Sequence, residues 1–496
     1  MTNTTDTNIG LYYLRAVGSA PDAPAVISAQ GTVSHGQLAE ASLAMALGLQ
    51  DRGMKQGSTL AMRTGDPAVA LASLLATALL GARWIYAHAN LVGSDRLDID
   101  MILDDGSQPG ESPAGAVQLD QSWFAPRAPE GGGPRPLPFT GFRSPEDIWM
   151  ISQTSGTTGT PKLVGLPYRV MMARLEANAA RLDWRGLRLA SLFPPTSPLW
   201  LTYALTALLH GGSVLAGTPP ENWPEAKAGF VVSSPAQAQM ALGELVLPRK
   251  LPLIQVSGGP VSDDHVLHLL QSFEEVWVGY GSTEAFNAMA NVKTLDPDGQ
   301  LRTRTVLAPD VRVEVVDDAD QPLPAGQEGI VRVTNPYVAP GYINAPSATA
   351  GSFRDGWFYP GDIGRWEPDG SFSVLGRNNE QFNLGGQKLN APLMDFALMS
   401  VPGVRDAICF MLPGVEGTAG LRAFLSVSPE ADQTEVLAEA RVALMKLGGL
   451  AAVPERILFL DSLPRNANGK ADRRACVRLL EEGRARNRAV TPPKGP

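Results

Sequence analysis

The 496-residue chain is 44% hydrophobic and carries 41 Lys plus Arg against 50 Asp plus Glu, a formal charge of −9. The length allows about two to four domains, and the apolar fraction supplies an ordinary globular core, which excludes a fibrous or disordered chain. The acidic balance argues against binding along a nucleic-acid backbone, so an anionic ligand must be met by a few placed cations.

The first ten residues are polar and lack a basic stretch ahead of an apolar core, so no secretory signal is expected. From Ala25 the chain alternates short apolar runs with segments of helical period, the pattern of strands joined by helices. Pro24 to Ser28 reads as a strand. Ser34 and Gln37 form a capping-box signature ahead of Leu38, Ala41, Met45 and Leu49, which recur near helical spacing. The longest apolar run, Ala68 to Leu80, is too short to cross a bilayer and follows Asp66-Pro67, a helix-start signal, so it reads as a core helix. Gly106 to Glu146 holds eight prolines and seven glycines. It reads as a surface crossing within one large domain, with a linker as the alternative. Alternation resumes at Ile148 to Gln153 and runs through Val214 to Gly217, Pro235 to Val246, Leu253 to Ser257, Asp263 to Gln271 and Glu275 to Val278. Strand-rich sequence follows, with Asp369-Gly370 as a hairpin signal between Phe358 to Trp366 and Ser371 to Leu375. Beyond about Asn379 a fresh pattern of strands and one long helix, Gln433 to Leu447, predicts a small α+β unit. Cys409 and Cys476 belong to no Cys-x-x-Cys or Cys/His cluster, which points to a reducing, cytoplasmic setting.

The chemistry concentrates in a few strings. Ile151 to Lys162 is a run of hydroxyls and glycines that leaves a strand and ends in a lysine. Thr154, Ser155, Gly156, Thr157, Thr158 and Gly159 offer backbone N–H groups and hydroxyls, and Lys162 adds a point charge, a composition suited to a polyphosphate. The spacing is not that of the P-loop. The alternative for the string taken alone is a flexible Ser/Thr/Gly loop. His265 and His268 share a helix face without a third ligand, so no metal site is expected there.

Five strings in order resemble the adenylate-forming superfamily, which includes acyl-CoA synthetases, peptide-synthetase adenylation domains and luciferases. Thr154 to Lys162 resembles its signature loop, Gly279-Tyr-Gly-Ser-Thr-Glu284 its aromatic-Gly-x-Thr-Glu element, and Tyr359-Pro-Gly-Asp362 its Gly-Asp element. Gly376-Arg377 resembles the element opening the interdomain hinge, and Pro464 to Lys470 the terminal Gly-Lys loop. The resemblance implies an α/β protein with a large layered N-terminal domain, 1–377, that binds ATP and an acid, and a small mobile α+β domain, 378–496, carrying the catalytic lysine.

It also implies roles. Tyr280 stacks on adenine, with Gly281 beside it; Thr283 donates to the α-phosphate; Glu284 holds Mg²⁺, a hard cation that takes carboxylate oxygen. Asp362 accepts the ribose hydroxyls, and Arg377 contacts ribose or phosphate. Gly258 and Gly259 let backbone approach the adenine and acyl pocket, and Lys388 is a weaker phosphate contact. Lys470 bridges the carboxylate and the α-phosphate in the displacement, and its removal is expected to slow adenylation about 10²- to 10³-fold. Each residue alone reads as readily as a turn, core or surface position.

The sequence departs from the pattern at Asn379 and Asn383 in the hinge region and at Pro360 beside the ribose aspartate. The resemblance places an Asp early in the acyl-pocket segment of peptide-synthetase domains that take α-amino acids; Phe193 to Trp200 carries none, so an α-amino acid is disfavoured. Thr196, Ser197, Trp200 and Tyr203 either line a pocket for a neutral aliphatic or aromatic acid or form a helix N-terminus packed in the core. The expected reaction joins a carboxylic acid to ATP as acyl-AMP with release of pyrophosphate, then passes the acyl group to a thiol, CoA or the phosphopantetheine of a separate acyl carrier protein. The alternatives are transfer to an amine and a non-catalytic nucleotide- or acyl-adenylate-binding homologue. No nucleic-acid or membrane partner is expected.

Overall fold

The computed structural model describes residues 8–88, 90–92, 94, 96–124, 139–154, 161–243, 245–259, 261–377, 381–384, 387–412, 420–465 and 471–483. Ser155 to Gly159, the hinge residue Asn379 and Lys470 lie outside them, as do the side chains of Asn383 and Lys388.

The chain folds as mixed α/β. A nine-stranded sheet has a parallel middle, running Phe273–Ser282, Leu251–Ser257, Phe230–Ser233, Arg188–Ser191, Ser213–Ala216 and Pro24–Ser28. Antiparallel strands close both edges: Phe286–Leu295 with Leu301–Leu307 on one side and Gly31–Ser34 on the other. A six-stranded sheet holds Thr59–Arg63, Arg83–Tyr86, Met101–Asp104 and Ile148–Thr154 in parallel, with Lys162–Pro167 antiparallel at its edge. A third sheet, from Arg312–Val316 to Phe372–Arg377, is antiparallel. The run Phe358 to Trp366 is not one strand as its pattern suggested. Gly361 takes a left-handed φ of 82° and splits it into Trp357–Phe358 and Asp362–Trp366.

The helix Pro67–Leu80 shows how the core is built. Every residue from Ala70 to Leu80 is buried, as expected of a helix apolar on all sides. The Asp66 side chain accepts from Ala68 N and Val69 N at its start, and Gly81 ends it in the left-handed region. The capping box at Ser34 and Gln37 is formed, and the helix behind it runs His35–Asp51. Helices Ile9–Val17 and Tyr168–Ala179 were not read from the sequence.

The residues after 388 have hydrophobic cores of their own. One spans Leu389 to Phe459, and a second gathers Ile408, Phe410, Phe424, Leu458 and Cys476. Both cysteines are buried and free. Asn390 ties this unit to the larger one: its Oδ1 caps helix Ala391–Met399 while its Nδ2 donates to Leu375 O at 2.8 Å. Gly376, at φ 126°, leaves the space for it, since a Cβ there would lie 1.1 Å from Asn390 Nδ2. Nearby, His265 of helix Asp263–Ser272 faces Phe396 with ring centroids 6.0 Å apart. The segments flanking Lys470 are anchored in the small unit, Arg465 by Asp406 and Arg473 by Asp395.

Two outcomes follow from these contacts. Asp66→Ala is expected to lower stability by about 1 kcal/mol in a denaturant titration, and an unchanged midpoint would mean the cap is dispensable. Burial, with a smaller contribution from His268, pulls His265 down to about 4 from its ordinary 6.5. A base depressed in the folded state contributes stability above its unfolded pKa that is lost as pH falls. The wild type is therefore expected to lose more stability between pH 6.5 and 4 than His265→Phe does, and parallel pH profiles would refute the assignment.

Candidate active site

Of the predicted residues that are described, Thr154, Gly258, Gly259, Tyr280, Gly281, Thr283 and Glu284 lie at or just past the carboxyl ends of parallel strands, where open α/β sheets bind ligands, while Asp362 and Arg377 come from the third sheet and Lys162 from the edge of the six-stranded one. Tyr280 lies near the end of Phe273–Ser282, beside Gly258 just past Leu251–Ser257. Two clusters form.

The first holds Tyr280, Asp362 and Arg377. Asp362 and Arg377 are cross-strand partners in the third sheet. The Tyr280 hydroxyl donates to Asp362 Oδ2 at 2.7 Å, and Arg377 Nε stands 3.3 Å from Asp362 Oδ1. Loss of water and the adjacent carboxylate hold the Tyr280 phenol well above its ordinary pKa, so it stays a donor. The Tyr280 ring tilts over Phe372 at 5.8 Å between centroids. Asp362 is buried, so its carboxylate is engaged from two sides by a phenol and a guanidinium.

The second cluster holds Glu284, Lys162 and a residue the sequence reading did not name, Tyr342. The Tyr342 hydroxyl donates to Glu284 Oε1 at 2.8 Å, and Lys162 Nζ lies 4.5 Å from the centre of the Tyr342 ring. Lys162 faces Thr154 as its cross-strand partner. Glu284 is buried. Among the described residues no group of three or more His, Cys, Asp or Glu can hold a metal, so a cation here would be held by one carboxylate together with phosphate and water. That donor set suits Mg²⁺, which keeps waters and binds through one or two carboxylates and substrate phosphates.

The turn joining the clusters is crowded. A Cβ on Gly281 would lie 1.9 Å from Phe286 O, so only glycine lets the strands close there. Phe286 itself has φ 60°, a strained conformation for a bulky residue. Arg174 of helix Tyr168–Ala179 holds this turn from behind. It is 1% exposed, donates through Nη2 to Thr283 O at 2.9 Å and Glu284 O at 3.1 Å, and reaches Tyr337 O with Nε and Nη2. Its guanidinium also lies over the Phe286 ring. Burial pulls its pKa down to about 9, against the pull of Glu284, so it stays charged at neutral pH. Thr283 is thus placed through its carbonyl.

In the segment Phe193 to Trp200, the helix N-terminus is what forms. Ser197 Oγ caps helix Pro198–Leu209, and Trp200 and Tyr203 are buried. The Tyr203 hydroxyl donates to Gln255 Oε1 at 2.8 Å and accepts from Asn287 Nδ2 at 2.9 Å, and Gln255 Nε2 donates to Ser257 Oγ. This chain of hydrogen bonds runs under the strand ends beside Gly258.

Arg174→Met would strip its donors from three buried carbonyls. The expected cost is about 3 kcal/mol in a denaturant titration, and a loss under about 1 kcal/mol would show that other contacts hold the turn.

Residues 14–343 match the family model described as AMP-binding enzyme. The 2-succinylbenzoate–CoA ligase of Geobacillus kaustophilus is 28% identical over 490 residues, 93% of this chain and 96% of that protein. The 2-hydroxy-7-methoxy-5-methyl-1-naphthoate–CoA ligase of Streptomyces carzinostaticus is 27% identical over 433 residues, 82% of this chain and 72% of that protein. Among solved structures, O-succinylbenzoate coenzyme A synthetase from Bacillus subtilis in complex with AMP has the same fold, with a TM-score of 0.77 at 21% identity over 93% of this chain and 97% of that one. With the family model spanning most of the chain, the protein belongs to the AMP-binding enzyme family.

Proposed function

We propose that this chain is an AMP-forming acid ligase that activates a carboxylic acid, an aromatic one first among candidates, and transfers it to the thiol of CoA. The observation that carries the reading is the meeting of Tyr280, Asp362 and Arg377 in one cluster and Lys162 and Glu284 in another, joined by a single turn. The first cluster offers an aromatic face, a carboxylate and a guanidinium to a nucleoside. The second offers one cation to phosphate and one carboxylate to Mg²⁺. The aromatic acid and the thiol are supported by the two CoA ligases above, both named for aromatic acids.

In the first step a carboxylate oxygen attacks the α-phosphorus of ATP, a P–O bond forms, and the bond to the bridging oxygen breaks with pyrophosphate leaving. Such transfers depend on positioning and charge neutralisation. Thr283 is held for the α-phosphate by Arg174, and bound Mg²⁺ would neutralise phosphate charge beside Glu284. Lys470 is the proposed bridge between the carboxylate and the α-phosphate, delivered by the unit that follows residue 377. In the second step the thiolate attacks the acyl carbon and AMP leaves. A free carrier protein presents the same thiol chemistry.

The test is pyrophosphate release with ATP, Mg²⁺ and a panel of aromatic and aliphatic acids, followed by addition of CoA or simple amines. Acid-dependent release that falls about 10²-fold or more in Lys470→Ala is expected, with CoA accelerating turnover. Release that ignores CoA and responds to an amine would make the product an amide. ATP binding without release for any acid would leave a nucleotide-binding homologue.

A further inference from the structure

Tyr342 touches both Glu284 and Lys162, and its own position is over-determined. Its N–H donates to Thr349 Oγ1 at 2.9 Å, its backbone bridges Val164 two residues past Lys162, and Ile343 N donates to Leu163 O at 2.7 Å. Its ring meets the edge of Phe353 with centroids 5.4 Å apart. The residue is therefore stitched to the strand Lys162–Pro167, while its hydroxyl reaches across to the turn after Phe273–Ser282.

This arrangement solves an electrostatic problem. A lysine and a glutamate serving the same polyphosphate attract each other, and a direct ion pair would occupy the carboxylate that a cation needs. Here the ammonium is received by the electron-rich ring face and the carboxylate by the hydroxyl at the ring's far end. That hydrogen bond also restrains the carboxylate, since Oε1 is engaged by the Tyr342 hydroxyl.

We propose that Tyr342 is a positioning residue for the metal and phosphate end of the site: its hydroxyl orients Glu284 for the cation, and its ring keeps Lys162 beside that carboxylate without pairing the two charges. The inference rests on the proposed assignment of Glu284 to the metal. A partner that orients a metal-binding carboxylate acts on metal affinity directly, whereas a residue that only fills space does not.

The experiment measures Mn²⁺ binding by electron paramagnetic resonance in the presence of a non-hydrolysable ATP analogue, and binding of the same analogue in EDTA by calorimetry. Tyr342→Phe keeps the ring and removes the hydroxyl. It is expected to weaken Mn²⁺ about tenfold or more while leaving metal-free nucleotide affinity unchanged. Tyr342→Leu removes both functions and is expected to weaken metal-free nucleotide binding as well, by about threefold. Wild-type Mn²⁺ affinity in Tyr342→Phe would overturn the proposal, provided Glu284→Gln loses the metal. If Glu284→Gln binds Mn²⁺ as the wild type does, the metal assignment itself falls. Should Tyr342→Leu fail to fold, the Phe variant decides alone, with its thermal melting curve as the control for a purely structural effect.

Discussion

A guanidinium with no water around it must be surrounded by acceptors, and Arg174 is given the carbonyls of Thr283, Glu284 and Tyr337. The first two belong to a turn that cannot hold itself: it runs into the left-handed Phe286 and a strand approach so close that only Gly281 fits. The buried charge and the strained turn need each other. Without the turn, Arg174 would be an uncompensated charge in the core; without Arg174, the Thr283 and Tyr337 carbonyls would lose the donors it supplies, Glu284 O would keep the N–H of Ala339, and the turn would relax. Since Tyr280 precedes this turn and Glu284 lies within it, both clusters of the site are tied to the helix Tyr168–Ala179 that carries Arg174.

The site is correspondingly divided between rigid and directional parts. Asp362 and Arg377 face each other across a two-strand ladder, so their relative position is set by backbone register. Tyr280 joins them from a different sheet through a single hydroxyl. Lys162 is brought to Glu284 through Tyr342, again across two sheets. Backbone pairing fixes each half of the site, and one tyrosine hydroxyl spans each gap.

The residues that were legible in the sequence are those in compact strings: Lys162 after its hydroxyl-rich run, Tyr280 and Glu284 four positions apart, Asp362 and Arg377 near hairpin signals. The α/β alternation was legible for the same reason, because periodicity is local. Arg174, Tyr342, Gln255 and Asn287 were not, because each acts on a partner far away in the chain. Arg174 did leave one trace. Val170, Met171, Leu175 and Asn178 share its buried helix face, so a charge stands on a stripe facing the core, which is where a buried network is to be sought. The split of Phe358 to Trp366 turned on a backbone angle at Gly361, which hydrophobic patterning does not report.

The double use of Asn390 bears on kinetics. Its Oδ1 caps helix Ala391–Met399 from within the small unit, while its Nδ2 holds Leu375 O in the large one across the space that Gly376 leaves open. A rotation of the residues after 390 would break the second bond and keep the first, so the helix would travel with its cap intact. Exchanging one such bond for water costs about 1 kcal/mol, less than a tenfold change in an equilibrium. A bond that light would bias the orientation of the residues after 390 while adding little to the barrier of any such rotation.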